Sequence, residues 1–136
     1  MKVVLDTNVL IAAFGTRGLC QAVFELCLEN HQIIINFQIL EELRENLKAK
    51  IKLPDFKIRE IISYLKEHTH LVKTSREVKI DTCRDPSDIS ILNLAVNAQA
   101  DYLITGDKDM LTLKEIELIP IVSPREFWER MRKIKK

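Results

Sequence analysis

The chain has 136 residues, of which 46% are hydrophobic and 30% charged, and a formal net charge of +1. That apolar content is enough for a core, and 3 Gly and 4 Pro are too few for a low-complexity or collagen-like chain, so both disorder and fibrous repeats are excluded. No apolar run approaches the roughly 18 residues a membrane helix needs, and only Val3, Val4 and Leu5 stand between Lys2 and Asp6, too few for a signal peptide.

Lys2-Val3-Val4-Leu5 reads as a short buried strand that runs into the turn and cap cluster Asp6-Thr7-Asn8 and the apolar run Val9 to Phe14. Leu19, Cys20, Val23, Phe24, Cys27 and Leu28 fall at helical spacing. Gln32 to Asn36 is a second strand, and Ile39-Leu40, Leu43, Leu47 and Ile51 continue as a helix up to Pro54. Ile58, Ile61, Ile62 and Leu65 mark a further helix with basic residues on its other faces. Residues 71–74 suit a short edge strand, and residues 75–87 are polar and irregular. A helix follows through Ile89, Leu92, Ala95 and Val96, and then a strand over residues 101–105 that ends at Gly106-Asp107. Leu118 to Val122 is a last strand, which Pro120 assigns to a sheet edge. Ser123-Pro124-Arg125-Glu126 is a capping box, with Ser at the N-cap, Pro at the first helical position and Glu three residues on. The helix it opens finishes in a basic, frayed tail from about residue 130.

Strands alternating with helices imply an α/β chain: a three-layer α/β/α sandwich around a mostly parallel sheet, as one domain over residues 1–136. The three cysteines, Cys20, Cys27 and Cys83, are odd in number and lack metal-ligand spacing, so they read as small core residues in a reducing cytoplasm. His31, His68 and His70 show no ligand spacing and read as surface residues, and Phe127 and Trp128 read as core packing on the last helix.

Charge is segregated. Residues 48–79 carry nine Lys/Arg against four Asp/Glu, residues 125–136 carry six against two, and the remainder is net acidic. In a parallel sheet, ligands bind at the carboxyl ends of the strands. Asp6 follows the first strand, Asp107 and Asp109 follow the strand ending at Thr105, Glu41 and Glu42 open the helix after the second strand, and Asp85 and Asp88 precede or open another helix. Singly each suits a cap or a turn. If the sheet is parallel, all of these places lie at one end of it and together offer an oxygen-only donor set. Two carboxylates about 4 Å apart repel by roughly 4 kcal/mol at an effective dielectric of about 20, which a divalent cation relieves. Such donors suit Mg²⁺ or Mn²⁺, whose chemistry at carboxylates is phosphate transfer and hydrolysis, and basic segments around an acidic centre suit a polyanion.

Four stretches, Val4-Leu5-Asp6-Thr7-Asn8-Val9-Leu10, Ile39-Leu40-Glu41-Glu42-Leu43, Asp85-Pro86-Ser87-Asp88 and residues 100–109 (Ala-Asp-Tyr-Leu-Ile-Thr-Gly-Asp-Lys-Asp), occur in order across the chain. In this the chain resembles the PIN domain family, and within it the VapC-like ribonuclease toxins of toxin–antitoxin pairs. The resemblance implies metal-binding catalytic acids at Asp6, Glu42, Asp88 and Asp107, with Asp109 as an accessory ligand. Glu42 is preferred to Glu41 because it directly precedes Leu43, and Asp88 to Asp85 because it begins the apolar helix pattern. Asn8 and Thr105 match polar residues that orient those carboxylates. Two positions depart from the family pattern: Asn36 stands where Ser is frequent, and Ile89 where Asn is frequent.

The expectation is therefore a Mg²⁺- or Mn²⁺-dependent endoribonuclease that acts on RNA in the cytoplasm, without a membrane. A homodimer and a cognate antitoxin are implied by the resemblance alone. Lys57, Arg59 and Lys66 are candidate RNA contacts on the basic helix. The alternative is a non-catalytic RNA- or protein-binding module on the same scaffold. An Asp-nucleophile phosphatase is disfavoured because position 8 is Asn where that chemistry needs a second Asp.

Overall fold

The computed structural model describes residues 1–16, 18–73 and 86–134. In chain order the elements are β1 (Lys2–Leu5), α1 (Thr7–Gly15), α2 (Leu19–Asn30), β2 (Gln32–Ile35), α3 (Phe37–Ala49), α4 (Asp55–His68), β3 (His70–Leu71), α5 (Pro86–Ala98), β4 (Tyr102–Ile104), α6 (Lys108–Leu113), β5 (Glu115–Ile116), β6 (Ile119–Val122) and α7 (Pro124–Ile134).

The sheet order is β3-β2-β1-β4-β6-β5, with every pairing parallel except β5 against β6. Parallel strands are covered on both faces, which is why Val3, Val4 and Leu5 of β1 and Ile33, Ile34 and Ile35 of β2 are all buried. From β1 the chain steps outward through β2 to β3, then returns across the sheet to β4 and onward to β6. Right-handed crossovers therefore place α5, which packs on β1 and β4, on the face opposite α2, which packs on β2. The direction of winding reverses between β1 and β4, and the crevice at the carboxyl ends of those two strands is where such sheets take ligands.

The α/β sandwich expected from the alternation is the one found. Several details differ. Pro120 is not on an edge strand, because β5 pairs outside β6. The Ile121 amide donates toward β5, to the Lys114 carbonyl at 2.9 Å, so the nitrogen of Pro120 faces β4, where registered pairing begins only at Leu103 and Ile121. No ladder bond is lost there. The edge strand expected at 71–74 is His70–Leu71, and β5 and α6 had no counterpart in the sequence reading. The β5–β6 turn places Glu117 and Leu118 at φ 45° and 69°, the two left-handed positions that Asn-Gly ordinarily marks, so its sequence carries no turn signal.

The N-cap half of the capping box forms, with the Glu126 amide donating to Ser123 Oγ at 3.1 Å, while the Glu126 carboxylate pairs with Arg130 at 3.5 Å. Phe127 is fully buried, edge-on to Tyr102 and His31, and Trp128 packs against the core at its margin. His31 is thus half-buried rather than a surface residue. Cys27 is a core residue whose thiol burial pushes up to about 12, and Cys20 is half-buried. Cys83, Asp85 and most of the stretch predicted to be irregular lie outside the described residues, as do Lys135 and Lys136 of the tail. Among the described residues no single helix is long and apolar enough to cross a membrane.

Candidate active site

Asp6 ends β1 and caps α1. Its backbone amide donates to the Ile104 carbonyl of β4 at 2.9 Å, which ties it to the neighbouring strand end. Its Oδ1 accepts from the Thr7 amide at 2.7 Å and its Oδ2 from the Thr105 hydroxyl at 2.6 Å. The residue is only 6% exposed. Burial pushes its carboxyl up from the ordinary range, the hydrogen bonds from Thr105 and Thr7 pull it down, and the charges of Asp107 and then Glu42 push it up again.

Thr105 is the hub. It is fully buried, its amide donates to the Val122 carbonyl of β6, and its Oγ1 accepts from the Asp107 amide at 3.0 Å while donating to Asp6. One hydroxyl therefore fixes two acids. Asp107 caps α6, its Oδ1 accepting from the Asp109 amide at 2.9 Å. Asp109 is exposed in the first turn of that helix. Asn8 is exposed in the first turn of α1, and its Oδ1 accepts from the Gly106 amide at 3.4 Å, joining the loops that follow β1 and β4.

Glu42 lies half-buried in the second turn of α3, near enough to Asp6 for its charge to be felt there. Asn36 caps that helix, its buried Oδ1 accepting from the Ile39 amide at 2.8 Å. Asp88 is in the first turn of α5. The Ser90 hydroxyl donates to Gln38 Oε1, which joins the start of the second turn of α5 to the first turn of α3. The structure thus puts Asp6, Glu42, Asp107 and the turn that carries Asp88 at the carboxyl edge of the sheet.

The donor type fits a hard divalent cation. Asp6, Glu42, Asp88 and Asp107 offer oxygen only, and Asp6, Glu42 and Asp107 are in none of the ion pairs of the described residues. The side chains do not form a ready-made cage: among the described residues no three of His, Cys, Asp and Glu gather closely enough to hold an ion. The buried hydroxyl of Thr7, next to Asp6, has no hydrogen-bond partner.

The basic residues divide. Lys57, Arg59 and Lys66 are exposed on α4, whose last turns face α2: Tyr64 and His68 line a 430 Å³ cavity with Glu25, Leu28 and Glu29, just ahead of the start of β2. Two cations lie nearer the acids: Lys108, which sequence reasoning passed over, and Arg125, which it counted only within the basic segment 125–136. Lys108 directly follows Asp107, and Arg125 is the third residue past Val122, whose carbonyl holds Thr105. Both are exposed and in no ion pair among the described residues. Their signal in the sequence was position alone, immediately after strands β4 and β6.

The PIN domain profile aligns to residues 2–109 of the chain. The chain belongs to the PIN domain family. Members of that family are nucleases. In this PIN domain the departure at Asn36 is structurally plain, since its amide oxygen serves as the α3 cap a Ser hydroxyl would also provide. Solved structures share the fold. VapBC-1 from nontypeable Haemophilus influenzae superposes with a TM-score of 0.68 at 16% identity over 92% of this chain and 99% of that one. A toxin–antitoxin complex from Klebsiella pneumoniae gives 0.65 at 20% over 90% and 97%. VapBC2 from Rickettsia felis, bound to a promoter DNA fragment, gives 0.64 at 18% over 90% and 98%. No curated protein sequence matches the chain.

Proposed function

We propose that this PIN domain, acting as one unit over its 136 residues, is a divalent-metal-dependent endoribonuclease of the cytoplasm and the toxin member of a toxin–antitoxin pair. The observation that carries the reading is the Thr105 hydroxyl that joins Asp6 to the Asp107 amide at the point where the sheet reverses its winding. A bound Mg²⁺ or Mn²⁺ would supply Lewis-acid activation of water and neutralise phosphate charge. Asp6, Glu42, Asp88 and Asp107 are the residues to hold it, with Asp109 as an accessory ligand. Thr105 and Asn8 keep the loops bearing Asp6 and Asp107 in register before substrate arrives. In this reading Lys108 and Arg125, exposed just past β4 and β6, meet phosphates flanking the scissile bond, and the exposed Lys57, Arg59 and Lys66 add further backbone contacts. The antitoxin reading is supported by three solved neighbours, two named as VapBC assemblies and one as a toxin–antitoxin complex. A homodimer belongs to the same reading.

The test is cleavage of a generic single-stranded RNA by the purified chain with Mn²⁺, with Mg²⁺ and with EDTA, beside Asp6→Asn. Metal-dependent cuts that disappear in the variant support the reaction and the site together. RNA binding without metal-dependent turnover would replace the enzyme with a binding module.

A further inference from the structure

The carboxyl edge that gathers the acids also carries an exposed aromatic ring. Phe37 is the first residue of α3 and is 61% exposed, whereas Ile39, Leu40, Leu43 and Leu47 of the same helix are buried. A single exposed hydrophobic residue is ordinary on any protein. The place of this one is not. It follows Asn36 directly, at the end of β2, the strand beside β1 and so about 5 Å from it. Glu41 lies one helical turn on, on the same face, and Glu42 adjoins it. The other exposed large hydrophobics among the described residues are elsewhere or not aromatic: Phe56 and Tyr64 are on α4, Met1 precedes β1, Ile134 ends α7, Leu118 is at the β5–β6 turn by the start of β6, and Leu71 ends β3 next to Ile35.

The ring's backbone is held firmly. Asn36 caps the turn through the Ile39 amide, and Gln38, the next residue after Phe37, accepts from Ser90 two residues beyond Asp88. A rigidly based, solvent-facing ring beside a phosphate-hydrolysing centre is what an unpaired base stacks on, because every base has a π-face and the ring loses little entropy in meeting it. On the other side of Asp6, beyond β4, lie the cations Lys108 and Arg125.

We infer that Phe37 is a stacking platform for an unpaired base of a single-stranded substrate, which crosses the carboxyl edge from the Lys108–Arg125 side, over Asp6, to α3. This rests on the ribonuclease reading and adds that the enzyme selects unpaired over paired RNA through this ring. A base held in a duplex keeps both faces covered by its neighbours and cannot take the platform.

The test uses the whole chain and a 12-nucleotide single-stranded RNA, with the same RNA annealed to its complement as the competitor. Phe37→Ala raises KM for the single strand about ten-fold with a smaller change in kcat, a size in keeping with loss of one stacked base. Phe37→Trp and Phe37→Tyr restore it and Phe37→Leu does not, which separates stacking from mere apolar area. In an Asp6→Asn background the Ala change weakens binding of the uncut single strand by the same factor and leaves duplex binding unchanged. The preference for single strand over duplex falls accordingly. Unchanged KM and affinity in Phe37→Ala, with wild type cutting RNA in an Asp6-dependent way, overturns the platform and leaves the nuclease reading standing. A change in oligomeric state with no change in RNA affinity overturns it in favour of a protein interface. A wild-type chain that neither cuts nor binds RNA under Mg²⁺ or Mn²⁺ overturns both.

Discussion

The Thr105 hydroxyl donates to Asp6 Oδ2 at 2.6 Å across 99 positions of sequence, and the same oxygen accepts the Asp107 amide at 3.0 Å. A buried hydroxyl thereby joins the acid at the end of β1 to the acid after β4. Thr105→Val removes a hydrogen bond to a charged group, worth about 1.5–3 kcal/mol, and leaves the Asp107 amide without its acceptor. The expected outcome is a Tm several degrees lower by calorimetry and a loss of RNA cleavage larger than the stability loss explains. Thr105→Ser restores most of both, since Ser keeps the hydroxyl.

Asp6 works against the fold when ionised. Its carboxyl is raised above the ordinary 3.8, first by burial. The native state therefore holds this proton to higher pH than the unfolded chain, and the group's contribution to stability falls as pH rises from the ordinary value through the raised one. In EDTA, Asp6→Asn has a Tm equal to or above wild type at neutral pH. The advantage is smallest in acid, where both side chains are neutral, grows through the titration of Asp6, and is level above it. Denaturation curves from pH 3 to pH 8 check the sign, and an advantage that shrinks with rising pH contradicts it.

Metal should reverse that penalty. If Asp6, Glu42, Asp88 and Asp107 share a cation, Mn²⁺ raises the wild-type Tm. At about 100 times its Kd the gain is about 2.7 kcal/mol. Asp6→Asn and Asp88→Asn lose most of this shift, and Glu41→Gln keeps it. A thermal-shift titration without RNA reads this directly.

Phosphate contacts show in salt dependence. Each cation that neutralises a phosphate of a single strand adds about 0.7 to the slope of log affinity against log salt. Lys108→Ala and Arg125→Ala each lower the slope by about that amount in RNA-binding titrations. Charge reversal at Lys57, Arg59 and Lys66 tests the α4 surface in the same assay, and an unchanged slope there makes α4 a solvated face.

The last helix depends on its first turn. Ser123→Ala deletes the acceptor of the Glu126 amide and costs about 1 kcal/mol. Phe127 is buried on that helix, so urea denaturation of the whole chain registers the loss.

What the sequence by itself determined is local or periodic. The continuous apolar runs of β1 and β2, the helical spacing of α2 through α5 and the Ser123 capping box follow from residues within a few positions of one another, and they sufficed for the α/β class. The acids at strand ends were legible because a parallel topology forces its carboxyl ends to one edge. The elements that escaped were short or signed by the wrong residues: α6 is six residues long, and the β5–β6 turn uses Glu117 and Leu118 where left-handed backbone favours Asn-Gly. Only the tertiary structure decided that Pro120 lies inside the sheet, that Thr105 is the hydroxyl between Asp6 and Asp107, and that Glu42's charge reaches Asp6. It also decided that Phe37 stands exposed at the edge of the acids, while Lys66 sits on the turns of α4 that face α2. The reason is physical. Periodicity encodes which face of an element is buried, whereas the partner of a polar group is set by strand order and register, which bring together residues a hundred positions apart.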